Sequence, residues 1–505
     1  MPAPRKAART APVAALRKEV ESFLDSCQSP IFIEPGDAPF AIDSSTCSLT
    51  DRPDCLLIEV WDEARNLARR VMQVVQRRPG RLTLEVLRFG GRSGTVTLAD
   101  AAHPRSTATL LRSSREILRE HLRRWLSRQF PGWRTVDLTS GADLEHTLSP
   151  SCPRALIATG NRQWAVLAVP PAHSGSALTH GLLWLDYLRR REAPRAVEGL
   201  VLFLPAGHES STLLRLRHLR VETSVFRYDE TGFEAPVDAA DHGNLITRLE
   251  PWQQAAPEPV TDGERWARSV SLLPDVEVIT AAPGVWSLRV RGLEFARLTG
   301  GVLTVGVDRK RPARSLEAVE RLARELACFR RHCGPEPAHP WFIRNPEAWL
   351  ESVMRRRVTL LDARLLERPV YGQVPAVAGL ERGVLDLLAV DRDGRLAVIE
   401  LKASEDPDLP LQALDYWMRV AHHAAMGDFT ANGYFPGLPV SVRPPKLYLV
   451  APAMEFHPTT EALLSFYEPQ VEVERVGLGV EWQLSPRVVL RAGGSERPEW
   501  HPARE

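Results

Sequence analysis

Two periodicities alternate along the chain. Apolar residues recur at three- and four-residue intervals over residues 13–24, 113–130, 178–190, 315–331, 345–354 and 409–421, the spacing that gives a helix one apolar face. In the segment 113–130 that face is Leu118, Leu122 and Leu126. Between these helices, alternating or unbroken apolar runs predict strands. They include Cys55 to Val60, Arg81 to Arg88, a strand pair over 155–169 that turns at Gly160 and Asn161, a buried strand over 200–205, and a β-rich stretch over 276–307. Near the end, residues 382–390 and 396–402 read as a hairpin around Asp391-Arg-Asp-Gly-Arg395, because Asp-Gly suits the positive φ such turns need. Residues 235–262, rich in Pro, Asp and Gln, read as a linker, and the run from Gly334 to Pro340 as a boundary.

The pattern repeats. The run from Trp164 to Pro171 lines up with that from Leu396 to Ala403, which sets Ala168 against Glu400 and Pro170 against Lys402. Leu185-Asp186-Tyr187 resembles Leu414-Asp415-Tyr416, and Leu202 to Ala206 resembles Leu449 to Ala453. The β-rich stretches before them also look alike, Arg81 to Val86 against Gly301 to Gly306. The chain therefore reads as a duplicated two-part unit, a β module followed by an α/β domain.

A length of 505 residues accommodates about three or four domains. With 44% hydrophobic and 25% charged residues the composition is that of a globular protein, and no apolar run approaches membrane-spanning length. The first twelve residues are basic, contain Pro and have no apolar stretch behind them, so they read as a disordered tail of a cytoplasmic protein. The six cysteines are scattered and form no CxxC pair, which predicts free thiols in a reducing compartment. Cys328, His332 and Cys333 cluster on one expected helix but lack a second ligand pair, so they read as a helix end rather than a zinc site.

The net charge of +1 hides an uneven distribution, with roughly six more bases than acids before about residue 340 and roughly five more acids than bases after it. A basic front half fits a polyanionic partner or an ordinary solvated surface. Arg119, Arg123, Arg124 and Arg128 surround the leucine face of their helix and could contact phosphate or water. Lysines are few: Lys6, Lys18, Lys310, Lys402 and Lys446. In a chain that uses Arg as its general cation, a Lys at a chemically meaningful place carries extra weight.

Lys402 stands at such a place. Asp386 lies among apolar residues on the first hairpin strand, and Glu400 and Lys402, two apart on the return strand, project from one face. Three charges at the end of an apolar hairpin are costly unless paired or metal-bound. Two carboxylates suit Mg²⁺ or Mn²⁺, hard cations that prefer oxygen and retain water. Such an ion lowers the pKa of bound water and stabilises charge on a phosphate. Lys402 could position or help deprotonate that water, or offset transition-state charge. The alternative is a salt-bridged patch on a sheet. Upstream stand a helix with Glu347 and Glu351 and a strand over 370–374; downstream, Gln412 and Tyr416 are spaced i, i+4 on one helix face.

This order of elements, over about residues 341 to 465, resembles the PD-(D/E)xK (restriction-endonuclease-like) nuclease superfamily, in the branch of archaeal mismatch-type endonucleases and recombination-helicase nuclease domains. Leu385 stands where the family's name has Pro. The resemblance implies an α/β fold, a mixed sheet flanked by helices. It also implies a catalytic group of Glu351 (or Glu347, one turn earlier), Asp386, Glu400, Lys402, Gln412 and Tyr416, with Asp386, Glu400 and Glu351 holding Mg²⁺ or Mn²⁺. The expected layout is a tail over 1–12, a β-rich module over 13–110, an inactive nuclease-like domain over 111–232, a linker over 233–262, a second β-rich module over 263–338 and the catalytic domain over 339–505. The implied activity is hydrolysis of DNA phosphodiester bonds in repair or defence, with the inactive copy as a built-in partner. A silent nucleic-acid-binding scaffold and an RNA nuclease are the competing expectations. His422 and His423 follow the Gln412 helix and read as a structural helix-end pair or as substrate contacts, and His457 is assigned no role. No Gly-x-x-x-x-Gly-Lys loop is present, so a nucleotide-driven motor would be a separate chain.

Overall fold

The computed structural model describes residues 13–34, 40–43, 46–53, 55–61, 66–87, 93–100, 104–191, 196–229, 231–238, 247–249, 251, 261–282, 284–331, 339–378 and 381–496. The expected tail, His332 and Cys333 lie outside these residues. The chain divides into two compact units, Met1–Thr212 with Glu222–Ala239, and Leu213–Val221 with Ala240–Glu505. Both are mixed α/β. Among the described residues, no helix is long and apolar enough to cross a membrane.

The first unit opens with helix α1 (Val13–Asp25), whose Leu16, Val20 and Phe23 are buried one turn apart. It packs on a seven-stranded sheet of β1 (Pro30–Ile33), β2 (Phe40–Ala41), β3 (Cys47–Asp51), β4 (Leu56–Trp61), β5 (Asn66–Arg78), β6 (Arg81–Leu87) and β7 (Ser93–Asp100). All neighbours pair antiparallel. Leu56, Ile58 and Val60 on β4 and Leu82, Leu84 and Val86 on β6 alternate inward, as a half-buried strand requires.

Helix α2 (Pro104–Gln129) starts earlier than the apolar spacing predicts. Its Leu118, Leu122 and Leu126 are buried as expected. Its arginines are largely committed within the unit: Arg123 and Arg124 bind Glu120, and Arg128 donates to Glu234 at 2.9 Å. A second sheet follows, with β8 (Arg134–Thr139), β9 (Arg154–Thr159), β10 (Arg162–Ala168), helix α3 (Ala177–Arg191), β11 (Val197–Pro205), helix α4 (Ser210–Leu216), β12 (Glu222–Tyr228) and β13 (Glu234–Val237). The turn between β9 and β10 falls at Gly160, with φ of 56°.

The second unit contains β14 (Thr247–Leu249), helix α5 (Asp262–Ser271) and an antiparallel meander of β15 (Val276–Ala282), β16 (Val285–Val290), β17 (Leu293–Thr299), β18 (Val302–Val305) and β19 (Arg311–Pro312), closed by helix α6 (Leu316–Phe329). Residues 235–262, expected as linker, thus supply two edge strands, part of β13 and all of β14. Next come α7 (Pro340–Ile343), α8 (Pro346–Arg356), β20 (Tyr371–Ala378), β21 (Glu381–Val390), β22 (Leu396–Leu401), α9 (Leu409–Ala425), α10 (Asp428–Ala431), β23 (Lys446–Pro452), α11 (Thr460–Leu464), β24 (Val473–Leu478) and β25 (Val488–Gly493).

The two α/β sheets have the same pairing order. Along β8 to β13 the neighbours run antiparallel, antiparallel, parallel, parallel, antiparallel. Along β20 to β25 they do the same, and β14 is added at the β20 edge. A helix precedes each series (α2, α8) and another links its third and fourth strands (α3, α9). The ladders also fix the residue match. Val169 N donates to Phe203 O at 3.0 Å, as Lys402 N does to Val450 O at 3.0 Å. Ala168 and Leu401 both face the apolar cluster under the first helix. Leu167 and Val169 therefore stand where Glu400 and Lys402 stand. This is one residue off the match of Ala168 and Pro170 expected from sequence, because hydrophobic identity does not report strand register.

In the second unit a buried arginine ties the meander to the α8 sheet. Arg330 has no exposed surface. It donates to the carbonyls of Trp341, Arg344 (2.7 Å) and Arg291 (2.9 Å), and its guanidinium lies 4.7 Å from the centre of the Trp349 ring. Burial pulls its pKa down to about 10, and the carbonyls compensate the desolvation. At the same junction Gly292, with φ of 78°, comes so close to the Ala348 carbonyl that a Cβ would overlap it. Gly300 has φ of 55° and open space around it. Gly292→Ala should lower unfolding free energy by more than about 2 kcal/mol against about 1 kcal/mol for Gly300→Ala. Denaturant titration of the two variants checks this; equal losses would show that the close approach is not rigid.

Candidate active site

The site is built where the β21–β22 hairpin stops pairing. Asp391 at the turn accepts from Asp393 N at 2.9 Å and Arg395 N at 2.8 Å, and Gly394 takes φ of 78°. The strands then pair from Val390–Leu396 to Leu387–Ile399. Beyond that pair a side chain replaces the backbone acceptor, and Leu401 N donates to Asp386 Oδ2 at 2.9 Å. This bond turns the Asp386 carboxylate toward the end of β22, which carries Glu400. Glu400 itself sits between strands, opposite Leu449 of β23.

Glu400 is 4% exposed and its Oε2 is buried without a hydrogen-bond partner. Burial raises its pKa well above the usual carboxylate range, and neighbouring Asp386 pushes the same way. Burial also pushes Asp386 up to about 7, against the pull of the Leu401 amide. An orphaned buried carboxylate oxygen beside a second carboxylate carries a large desolvation penalty that a cation would relieve. Two oxygen donors and little else suit a hard divalent cation, which takes one or two carboxylates and keeps several waters.

Lys402 follows the last residue of β22. Its Nζ lies 3.2 Å from Asp406 Oδ2 and 3.8 Å from Glu347 Oε1. Burial works against its charge, but Glu347 and Asp406 outweigh that and hold its pKa above the ordinary value. Lys402 is thus an ammonium near neutral pH, a donor and counter-charge rather than a base.

The helix acids divide their roles. Asn345 caps α8 with its side chain on Ala348 N, so Glu347 falls in the first turn and Glu351 one turn later on the same side. Glu347 reaches Lys402. Glu351, 4% exposed, is bound by Arg355, with Arg289 of β16 at 3.9 Å. Gly372 leaves room for this pair, since a Cβ there would come within 2.7 Å of Glu351 Oε1. Glu351 still raises the Asp386 pKa, but it does not complete a three-ligand set with Asp386 and Glu400 among the described residues.

Helix α9 carries Gln412 in its first turn and Tyr416 in its second. Burial raises the Tyr416 phenol, and Glu400 and Asp386 raise it further, which places its oxygen within their electrostatic reach. The Arg419 guanidinium is 5.9 Å from the Tyr416 ring centre. His423 is buried at the end of α9 with Nδ1 2.7 Å from Asp428 Oδ2, and His457 bonds Thr459; both serve local structure. The structure therefore gathers Asp386, Glu400, Lys402, Glu347 and Tyr416 at one corner. Asp406 and the Arg289–Arg355 clamp were not expected. The i, i+4 spacings of Lys402–Asp406 and Glu351–Arg355 were visible signals, whereas Arg289 comes from a strand more than fifty residues upstream. Compared with known proteins, the chain matches no family model and no curated protein.

A pH prediction follows from the raised carboxylates. In the unfolded chain Asp386 and Glu400 lose their protons near pH 4, whereas in the metal-free fold Asp386 keeps its proton to about 7. The fold then binds more protons than the unfolded chain, so stability is full below about pH 4 and falls as pH rises toward about pH 7. Thermal melting of the metal-free protein across that window should show a falling Tm, with a shallower slope in Asp386→Asn and recovery at high pH on adding Mn²⁺. Identical slopes in both proteins would refute the buried-acid assignment.

Proposed function

We propose that the second unit is a divalent-cation-dependent nuclease of the PD-(D/E)xK type that hydrolyses DNA phosphodiester bonds. The observation that carries this reading is the buried Glu400 carboxylate, one oxygen unpartnered, set beside Asp386 at the open end of a hairpin with the Lys402 ammonium next to it. A structural salt bridge would seat Lys402 between the two carboxylates. Here its short contact is Asp406, and Glu400 keeps a free oxygen.

Asp386 and Glu400 would hold Mg²⁺ or Mn²⁺. The bound ion supplies a low-pKa water and charge stabilisation at the phosphate. The residues of the chain do the rest. The Leu401 amide fixes the Asp386 carboxylate. Asp406 and Glu347 hold the Lys402 side chain and keep it protonated, so it can donate to a non-bridging phosphate oxygen or orient the attacking water. Gln412 and Tyr416 stand one turn apart on α9, and the Tyr416 phenol lies within electrostatic reach of Asp386 and Glu400. Glu351 works through Asp386, as a neighbouring negative charge held in place by Arg355 and Arg289.

The same reading treats the first α/β sheet as a copy of this fold that lost its carboxylates. The matching pairing order of the two sheets supports it. So does the match of Glu400 and Lys402 with Leu167 and Val169, both fully buried apolar residues that cannot bind an ion or supply a charge.

The test is cleavage of end-labelled single-stranded, duplex and branched DNA by the full chain with Mg²⁺ or Mn²⁺. Asp386→Ala and Lys402→Ala should each lower the rate at least about 10²-fold while binding the same DNA. Metal-dependent cleavage that survives both substitutions would place the chemistry elsewhere. Cleavage of RNA alone would redirect the substrate, and binding of DNA without turnover would leave a scaffold.

A further inference from the structure

The first α/β sheet does not leave its corresponding corner empty of chemistry. Cys152 lies two residues before the first residue of β9 and is 1% exposed. His173 lies in the short 3-10 segment Pro171–Ser176 after β10, and His180 in the first turn of α3. Their ligand atoms all lie within 4.8 Å of one another, and the two imidazole centres are 5.8 Å apart. Among the described residues this is the one group of three such side chains close enough to share an ion.

The position is as informative as the composition. Ala168 N donates to Pro153 O at 2.8 Å, the place in the ladder where Leu401 N meets Asp386. In the ladder Arg154 stands where Asp386 stands, and Cys152 lies two residues before it. His173 follows β10 by five residues, as Asp406 follows β22 by five. His180 and Gln412 both stand in the first turn of the helix after that strand. The corner that gathers carboxylates and an ammonium in one sheet gathers a thiol and two imidazoles in the other.

We propose that Cys152, His173 and His180 form a zinc site, with Cys152 Sγ and one nitrogen of each histidine as ligands and the fourth position open to water. Sulfur and imidazole donors select a borderline-soft ion such as Zn²⁺ over Mg²⁺. Tetrahedral zinc needs ligand atoms about 3.5 Å apart, and the observed spacing, all within 4.8 Å, is close to that. The ion would tie the start of β9, the segment after β10 and the start of α3 together. Burial holds the Cys152 thiol protonated, pushed up to about 12, although Arg154 beside it pulls the other way. Binding therefore replaces the S–H bond by a metal–sulfur bond and releases the proton to solvent. This inference concerns the first unit and does not depend on the nuclease reading of the second.

The experiment uses the full chain, purified without chelator after growth with added zinc. Elemental analysis should find about one zinc per chain, and exchange with Co²⁺ should give a thiolate-to-cobalt charge-transfer band in the near ultraviolet. Cys152→Ser should abolish the band, and His173→Gln should weaken Co²⁺ binding at least about tenfold. The double variant Asp386→Asn, Glu400→Gln should retain the band. His173 is partly exposed, so its variant keeps the test alive if Cys152→Ser fails to fold, which melting curves reveal. Absence of the band in the native chain, or its survival in Cys152→Ser, overturns the proposal.

Discussion

A carboxylate shut away from water beside a second carboxylate is the constraint around which the second unit is organised. Glu400 is walled in by strands on both sides, and one of its oxygens has no donor. Sheets built only for stability place aliphatic residues at such a position, as the first unit does with Leu167. The surrounding features read as consequences. The ladder between β21 and β22 gives way so that Asp386 can face the same corner. Lys402 is leashed by Asp406 and Glu347, and Glu351 is held back by two arginines. Without a counter-ion the arrangement is frustrated, and a fold tolerates local frustration where function requires it.

Much of this was legible in the chain because it is written in short-range signals. The hairpin announced itself by Asp-Gly between two apolar strands, and the spacing of Glu400 and Lys402 put them on one face. The leucine face of α2 and the i, i+4 pair Gln412–Tyr416 were equally direct. What sequence could not supply was register and long-range company. Sliding the first α/β segment by one residue leaves its hydrophobic string almost unchanged, so Ala168 was matched with Glu400 where the ladder puts Leu167. Arg289 is remote from Glu351 in sequence, and only the meander packed beside α8 brings them together. The scarcity of lysine was a weaker guide than its rarity implied, since Lys310 and Lys446 are also salt-bridged, to Glu294 and Glu474, without any sign of catalysis.

The two α/β sheets show one pairing order carrying two sets of side-chain donors. Pairing order agrees strand by strand, yet one corner offers hard oxygen donors and the other sulfur and imidazole. The backbone determines where a side chain at the end of the third strand must point; the residue type then determines which ion is welcome. Where the second sheet has Glu400 and Lys402 the first has Leu167 and Val169, and the neighbouring loop and helix positions differ in character as well.

Arg330 bears on how the second unit could have been assembled over time. A guanidinium with no exposed surface, bonded to three carbonyls from two stretches of backbone and covering Trp349, makes the meander and the α8 sheet a single heritable piece. The Pro-rich run just after it has the look of a seam, but a recombination event that broke the chain there would strand a buried charge on one fragment and bare its acceptors on the other. Shuffling of this architecture among descendants is expected to carry both parts across together.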